Sequence, residues 1–367
     1  AVKLDPWGHF AIQEYEKLFS QFGIEPIDNI RDRELLNHHF FKRKIVFGHR
    51  DFNVWLNALK KGEKVAILTG LMPSGHVHLG HLMVFEELRF FQQLGAKINI
   101  VVADAEAYAV RRLSREKIME YAREYMLFAL ANGLNPDKTR IYFQTRSDTI
   151  YYRLIQMFSR KVTLAELEAI YGKLEPSKIM AALTQAADIL HLQLPQYGGY
   201  KYILVPVGAD QDPHLRLSRD IADRFEKELG LKRPASTYHK FIRGLDGNKM
   251  SSSKSDFAIF LSDPPEIIRS KVMKALTGGR ATASEQRKLG GEPDKCTIYE
   301  LYMYYLYENN EDLLQLYNDC RAGKILCGKC KRRAADMLIN FILDLQRKAN
   351  AIIDQGIIDK IVEFPEF

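Results

Sequence analysis

Two histidines in the segment Pro73–His81 have a spacing that could serve phosphate chemistry. His78 and His81 are three residues apart, and the apolar repeat that follows them predicts that they share the first turn of a helix. That end of a helix presents free N–H groups and a positive dipole, both of which favour phosphate. Gly75 and Gly80 would let a nucleotide approach the backbone. Histidines that only cap or pack the helix are the alternative.

A second segment, residues 246–253, is predicted to form a turn followed by one lysine and three hydroxyls. Lys249 can neutralise a leaving pyrophosphate, and the hydroxyls of Ser251 and Ser252 can follow the phosphates. A K-M-S-S-S string alone is a weak signal. Because it follows the histidine pair and a parallel-sheet pattern lies between them, the two segments together strongly indicate chemistry at the α-phosphorus of a nucleoside triphosphate.

All four cysteines of the chain lie close together in the sequence, in the pattern C-x23-C-x6-C-x2-C formed by Cys296, Cys320, Cys327 and Cys330. A C-x2-C pair places two thiolates near one metal centre, and a set of four fits either zinc or an iron–sulfur cluster. Four buried thiols without a metal are the alternative. Structural disulfides are disfavoured because we expect an intracellular protein.

Strands and helices that alternate from Lys64 onward must position these groups. Short apolar runs predict strands buried on both faces, at residues 65–68, 98–103, 140–143 and 202–207. Amphipathic segments between them predict helices on both faces of a doubly wound parallel sheet, in an α/β fold. In such a sheet, ligands bind at the carboxyl ends of the strands, where Pro73–His81 is predicted to lie.

The same pattern divides the chain into three predicted parts: an N-terminal extension (1–60), a catalytic domain (61–263) and an all-helical C-terminal domain (264–367). A helix-rich insertion interrupts the catalytic domain at about 147–195, and its phosphate-binding loop spans 246–255.

The composition excludes some classes of protein. With 46% hydrophobic residues in 367, the chain can bury a large core, and no apolar run is long enough to span a bilayer. The start of the sequence, Ala1–Trp7, lacks the apolar stretch of a secretory signal. A net charge of +7 permits a polyanionic partner without requiring one. We therefore expect a globular, cytoplasmic protein.

The two phosphate-binding segments resemble the signature motifs of the class I aminoacyl-tRNA synthetases. His78-Leu79-Gly80-His81 is similar to the HIGH motif and Lys249-Met250-Ser251-Ser252-Ser253 to the KMSKS motif. The resemblance covers nearly the whole chain and narrows to the tyrosyl and tryptophanyl group. Segments 205–220, 47–51 and 277–280 look like the tryptophanyl version. It implies a Rossmann-type domain that activates an amino acid with ATP and Mg²⁺ and passes it to tRNA. It also implies an anticodon-binding helical domain and a homodimer formed through the insertion.

The resemblance also implies roles for individual residues. The residues implied in catalysis are His78, His81, Lys249, Ser251 and Ser252. The residues implied in ATP binding are Pro73, Ser74, Gly75, Gly80, Gly208, Asp210 and Met250.

The residues at the positions that bind a phenol in tyrosyl enzymes indicate which amino acid is the substrate. Two tyrosines of that pocket are Leu68 and Ala181 here, which removes hydrogen bonds to a phenol and leaves room for an indole. Asp188 matches an aspartate that accepts the indole N–H in bacterial tryptophanyl enzymes. Gln185 and Gln211 match positions that hold the amino group, with help from Glu106. The sequence therefore favours L-tryptophan and tRNA(Trp), with tyrosine as the alternative. A Tyr and a Gln near the indole in eukaryotic tryptophanyl enzymes are replaced by Leu68 and Val101 here.

The four cysteines match a [4Fe-4S] site that some tryptophanyl members carry in the helical domain that meets the anticodon. Basic residues beside Cys327 and Cys330 suit an RNA-facing site. Zinc is the alternative metal. Two rival functions stay open at this stage, a nucleotidyltransferase outside translation and a non-catalytic RNA-binding relative. Amino-acid-dependent pyrophosphate exchange separates both from an aminoacyl-tRNA synthetase.

Overall fold

The structure is a computed structural model that describes Tyr15 and residues 17–366. The stretch Ala1–Trp7, in which we expect no secretory signal, lies outside these residues. In the described part of the chain, one sheet contains seven strands. The strands are β1 (Glu25–Pro26), β2 (Val46–Arg50), β3 (Val65–Leu71), β4 (Lys97–Val102), β5 (Thr139–Phe143), β6 (Tyr202–Gly208) and β7 (Ala235–His239).

The strands lie in the order β1-β2-β7-β6-β3-β4-β5. The five strands from β7 to β5 in this order are parallel, whereas β2 runs antiparallel to β7 and β1 antiparallel to β2. From β3 the chain builds outward through β4 and β5, then returns to add β6 and β7 on the other side. The predicted doubly wound parallel sheet is thus confirmed. Three strands of the sheet, β1, β2 and β7, were not predicted.

Helices cover both faces of the sheet. Those of the N-terminal and catalytic parts are α1 (Lys17–Phe22), α2 (His39–Lys42), α3 (Phe52–Lys60), α4 (Leu79–Gln93), α5 (Asp104–Ala109), α6 (Arg115–Ala131), α7 (Thr149–Ser159), α8 (Leu164–Tyr171), α9 (Pro176–Leu190), α10 (Asp212–Arg224) and α11 (Glu226–Leu229). Those that follow are α12 (Pro265–Met273), α13 (Ala283–Leu289), α14 (Thr297–Leu301), α15 (Asn310–Arg321), α16 (Cys327–Asp354) and α17 (Ile357–Ile361).

Local signals explain the ends of the helices nearest the cavity described below. The side chain of Ser114 accepts a hydrogen bond from the Lys117 N–H and so caps α6, as its sequence predicts. Gly95 and Gly133, which follow α4 and α6, have φ values of +104° and +108° that favour glycine. These two helices therefore begin at the carboxyl edge of the sheet and end at the opposite edge.

Two hydrophobic cores lie on opposite faces of the sheet. The larger one joins α4 and α6 to the C-terminal helices, with Phe85, Met126 and Leu338 all fully buried. The smaller one packs α7, α8 and α9 of the predicted insertion against the other face. Residues 264–366 contain helices and no strand, as predicted. The C-terminal helices therefore share one core with a face of the sheet.

Candidate active site

A cavity of about 740 Å³ lies at the carboxyl ends of β3, β4 and β6, where the direction of sheet building reverses. Its wall includes most residues that the sequence predicts for catalysis, ATP and the amino acid. These are Leu68, Ser74, His78, Gly80, His81, Glu106, Gln185, Asp188, Gly208, Asp210, Gln211, Lys249, Met250, Ser251 and Ser252. The structure does not bring Pro73 and Gly75 into this wall.

The two histidines form a capping box at the start of α4. The His78 Nδ1 accepts from the Gly80 N–H at 2.9 Å, and the His81 Nδ1 accepts from the His78 N–H at 3.0 Å. A ring nitrogen that accepts is unprotonated, so each neutral ring carries its proton on Nε2. Burial lowers the pKa of both rings, that of His81 to about 3, and nearby cationic groups lower them further. Both rings are therefore neutral at physiological pH.

Of the two histidines, only His78 retains a donor for phosphate. The His81 Nε2 lies 2.9 Å from the Tyr125 hydroxyl, whose oxygen accepts the hydrogen bond from the Nε2–H. The His78 Nε2–H is then the donor that the pair can offer to a ligand. His81 orients the backbone of His78 through its Nδ1, while its Nε2 contacts Tyr125 of α6. The catalytic role predicted for His81 stays a prediction.

The two predicted glycines serve contacts within the protein. A Cβ on Gly80 would lie 2.7 Å from the His78 ring, so glycine lets that ring fold back onto the helix end. A Cβ on Gly75 would lie 2.7 Å from the Cβ of Ser252. The Ser252 hydroxyl also donates to the His76 carbonyl at 2.9 Å. Gly75 therefore allows the two signature segments to approach each other.

Lys249 is carried on a short hairpin. Arg243 and Lys249 form an isolated antiparallel bridge, and Gly247 between them has a φ of +90° that favours glycine. The Lys249 Nζ lies 2.9 Å from the Asp210 Oδ2 and 4.1 Å from the centre of the Phe241 ring. This ion pair holds the lysine at the end of β6. To reach a phosphate, Lys249 must exchange Asp210 for the ligand.

Asp188 is a fully buried carboxylate at the amino-acid end of the cavity. Its Oδ1 accepts from the Tyr142 hydroxyl at 2.8 Å and the Tyr151 hydroxyl at 2.5 Å, and its Oδ2 accepts from the Gln144 Nε2 at 3.0 Å. Burial raises its pKa to about 7, against the lowering effect of these three donors. Oδ2 has one donor, so it keeps capacity to accept one more.

Apolar and amide groups surround this carboxylate. Leu68 and Val101 line the same cavity and are buried. On the neighbouring turn of α9, the Gln185 Nε2 donates to the Glu106 Oε2 at 2.7 Å. Gln211 lies in the turn that follows β6 and also lines the cavity. The predicted amino-acid residues therefore come together from four separate elements.

The sequence missed the residues that orient Asp188. Tyr142 lies in β5 and Tyr151 in the first turn of α7, and both are at positions typical of ordinary apolar packing. Gln144 follows β5 directly, at the sheet edge where ligands bind. Its position was the one available signal, because a polar side chain at that edge is a candidate binding group.

The four cysteines line a second, small cavity between the connecting segments of the C-terminal helices. Its wall includes Cys296, Cys320, Cys327 and Cys330 together with apolar side chains. Burial raises the pKa of Cys320 to about 11 and that of Cys330 to about 12. In the described part of the chain, no three His, Cys, Asp or Glu side chains converge closely enough to hold a single metal ion. The predicted metal centre stays a prediction.

Two glycines press against these sulfur atoms. A Cβ on Gly279 would lie 2.4 Å from the Cys327 Sγ, and one on Gly291 would lie 2.8 Å from the Cys320 Sγ. Cys327 also begins α16, whose first turn presents free N–H groups and a positive dipole that stabilise a thiolate. The segment 277–280, through Gly279, therefore lies directly against a sulfur atom of this cavity.

Comparison with known proteins identifies the family. The profile of the family described as tRNA synthetases class I (W and Y) matches residues 60–342, more than half of the chain. The chain belongs to this family. Within it, the chain is 56% identical to the tryptophan–tRNA ligase of Hyperthermus butylicus, over all of this chain and 99% of that protein.

Solved structures of the same family have the same fold. The crystal structure of tryptophanyl-tRNA synthetase from Aeropyrum pernix superposes with a TM-score of 0.92 at 51% identity, covering 99% of this chain and all of that one. The tryptophanyl-tRNA synthetase of Plasmodium falciparum gives a TM-score of 0.81 at 31% identity, with 94% of each chain covered. No helix in the described residues of this class I synthetase has the length and apolar character needed to cross a membrane.

Proposed function

We propose that this protein is a tryptophanyl-tRNA synthetase that joins L-tryptophan to tRNA(Trp) at the expense of ATP. The observation that carries this proposal is the fully buried Asp188 at one end of the cavity that holds His78 and Lys249. An indole N–H is a donor only and needs such an acceptor, while the rest of the ring needs the apolar wall around Leu68.

In the first step the carboxylate of tryptophan attacks the α-phosphorus of ATP. The bond from that phosphorus to the bridging oxygen breaks, its electron pair leaves with pyrophosphate, and tryptophanyl-adenylate forms. Lys249 leaves Asp210 and neutralises the departing pyrophosphate, while the His78 Nε2–H donates to a phosphate oxygen. No covalent enzyme intermediate is needed, because positioning and electrostatics supply the catalysis. Mg²⁺ enters with the phosphates of ATP, as it usually does.

Selection of tryptophan follows from the same pocket. Leu68 and Ala181 stand where tyrosyl enzymes read the phenol, so a tyrosine hydroxyl finds apolar groups there. The free energy lost when water is removed from that hydroxyl is then poorly compensated by new hydrogen bonds. Gln185 and Glu106 form one polar pair beside the pocket, and they are suited to the ammonium group of the substrate. Asp188 remains available to accept a hydrogen bond from the indole N–H.

We also propose that the four cysteines hold a [4Fe-4S] cluster. Support comes from the donor set, since four thiols line one apolar cavity and Cys327 lies at a helix N-terminus. Such a cluster would stabilise the segment between α13 and α16. It takes no part in adenylation, which transfers no electrons. Zinc bound to the same thiols is the competing assignment.

The remaining assignments concern partners. The C-terminal domain is proposed to meet the anticodon through the basic start of α16, residues 329–333. The insertion is proposed to form a homodimer in the cytoplasm. Large apolar side chains of Tyr152, Leu164 and Met180 are exposed on its helices, which supports an interface there.

ATP–pyrophosphate exchange with tryptophan and tyrosine in parallel tests the proposal. We expect exchange with tryptophan and little with tyrosine, followed by charging of tRNA(Trp). Exchange with tyrosine alone would reassign the pocket. Exchange with neither amino acid on folded protein would favour the non-catalytic RNA-binding alternative.

A further inference from the structure

Arg111 is a cation in the active-site cavity that the mechanism above does not use. It follows α5 in the connection to α6, where its backbone N–H donates to the Glu106 carbonyl at 3.4 Å. Its side chain lines the cavity, and its Nε is buried without a hydrogen-bond partner among the described residues. A buried guanidinium donor normally has a partner, because leaving it without one costs free energy. The missing partner is therefore expected to be a ligand.

The charges of the cavity show what kind of ligand this is. Its other cationic side chains are already paired: Lys249 with Asp210 at 2.9 Å, and Lys254 with Asp246 at 3.5 Å. The lining histidines with resolved pKa shifts, His78, His81 and His214, all have lowered pKa values because they are buried. Arg111 is thus the cation of the described wall that needs no rearrangement to receive an anion.

The surroundings of Arg111 place it near the phosphates. The connection that contains Arg111 leads into α6, and Glu124 of α6 accepts from the Val77 N–H at 3.1 Å in the first signature loop. That loop in turn contacts the second signature loop through the bond from Ser252 to the His76 carbonyl. The α5–α6 connection, the histidine loop and the lysine hairpin therefore border one continuous space.

We propose that Arg111 binds the β- and γ-phosphates of ATP and the pyrophosphate that they become. This inference rests on the function proposed above. A guanidinium stays charged at every working pH and presents a fork of donors that matches two phosphate oxygens. Arg111 thus neutralises the leaving group from the α5 side while Lys249, once released by Asp210, acts from the hairpin side.

Substitution of Arg111 tests this role, with Arg112 as a matched control. Arg112 is exposed, carries the same charge and is absent from the cavity wall. Its φ of +56° applies equally to arginine and glutamine, so Arg112→Gln adds no strain. Arg111→Gln removes the cation, and Arg111→Lys keeps the charge but loses the fork. Thermal unfolding of each variant checks that it is folded.

Three quantities should be measured for each variant: kcat/KM for ATP in tryptophan-dependent exchange, the Kd for tryptophan, and the calorimetric Kd of inorganic pyrophosphate on the enzyme without amino acid. For Arg111→Gln we expect kcat/KM for ATP and pyrophosphate affinity to fall about 10- to 100-fold, with the tryptophan Kd unchanged. Arg111→Lys should be intermediate and Arg112→Gln should resemble the unmodified protein.

A weaker tryptophan Kd with unchanged pyrophosphate affinity would instead assign Arg111 to the carboxylate of the amino acid and overturn the proposal. Equal behaviour of Arg111→Gln and Arg112→Gln would overturn it as well. Absence of exchange with any amino acid in the unmodified protein would remove the proposed function. In that case the pyrophosphate calorimetry still decides whether Arg111 binds phosphate.

Discussion

The Arg243 Nε donates to the Glu300 Oε2 at 2.9 Å, and the same oxygen accepts the Arg243 backbone N–H at 3.2 Å. Arg243 forms the base of the hairpin that carries Lys249, whereas Glu300 lies in α14, which begins directly after Cys296. Arg243 also donates to the Cys296 carbonyl at 3.5 Å. One ion pair therefore joins the hairpin that carries Lys249 to the helices that border the four-cysteine cavity.

Breaking this pair should weaken both stability and adenylation. Arg243→Gln leaves Glu300 mostly buried without its cation, and burial already raises the pKa of that carboxyl. We expect a loss of about 1–3 kcal/mol in the free energy of unfolding. We also expect a higher KM for ATP and an unchanged Kd for tryptophan. Chemical denaturation and pyrophosphate exchange measure the two effects.

Glu300→Gln is the matched partner variant, and the double variant closes a thermodynamic cycle. Because the two side chains touch, their effects on unfolding should be non-additive, with the double variant less destabilised than the sum. Strict additivity would mean that the pair does not couple the hairpin to α14.

The sequence was sufficient to predict the central sheet of the protein and the family to which it belongs. Buried strands such as β4 are short continuous apolar runs, and Ser114 and Gly133 bound α6 by capping rules that act locally. His78 and Lys249 were found because their motifs are local too. The strand β2 was missed because its antiparallel pairing with β7 is decided by residues about 190 positions away.

What the sequence could not give is the long-range polar pairing inside the site. Tyr125 contacts the second nitrogen of His81 from a helix 44 residues later, and nothing in the local motif indicates this partner. Tyr142 and Gln144 reach Asp188 from 46 and 44 residues away. Such partners are chosen by the tertiary fold, and residue type alone does not distinguish them from packing residues.

Removal of the catalytic lysine should affect chemistry more than binding. Lys249→Ala deletes the cation that meets pyrophosphate, so we expect the single-turnover rate of adenylate formation to fall about 100- to 1000-fold. The Kd for tryptophan should stay within about twofold, because Asp188 and Gln185 remain in place. Stopped-flow measurement of adenylate formation and equilibrium tryptophan binding separate the two quantities.

Lys249→Arg keeps a cation on the same hairpin and should restore part of the rate. The opposite pattern, in which Lys249→Ala weakens tryptophan binding but leaves the adenylation rate intact, would exclude the proposed role.

The four-cysteine cavity should bind iron. Protein purified without oxygen is expected to be brown and to contain about four iron atoms per chain, as elemental analysis and visible absorption would show. Gly279→Ala should reduce this iron content, because its Cβ would lie 2.4 Å from the Cys327 Sγ. Gly328→Ala is the matched control, since its Cβ meets nothing closer than 3.6 Å. Colourless protein with one zinc per chain would assign zinc instead.

Recognition of the indole should depend on pH through Asp188. Burial raises the pKa of this carboxyl to about 7, so it changes from carboxylate to acid near neutral pH. The carboxylate is the stronger acceptor for an indole N–H, because protonation removes the negative charge and places a hydrogen on one oxygen. The affinity for tryptophan should therefore be constant above this pKa and fall up to about tenfold for each pH unit below it. Calorimetric titration between about pH 5.5 and pH 8.5 measures the effect.

A tryptophan analogue with sulfur in place of the indole N–H provides the control. It cannot donate to Asp188, so its affinity should be lower at high pH and should not fall further as the pH is lowered. Asp188→Asn should likewise bind tryptophan weakly and without this pH dependence. If tryptophan and the analogue lost affinity in parallel below pH 7, the titrating group would be one that holds the amino-acid backbone, and Asp188 would not be the residue that reads the ring.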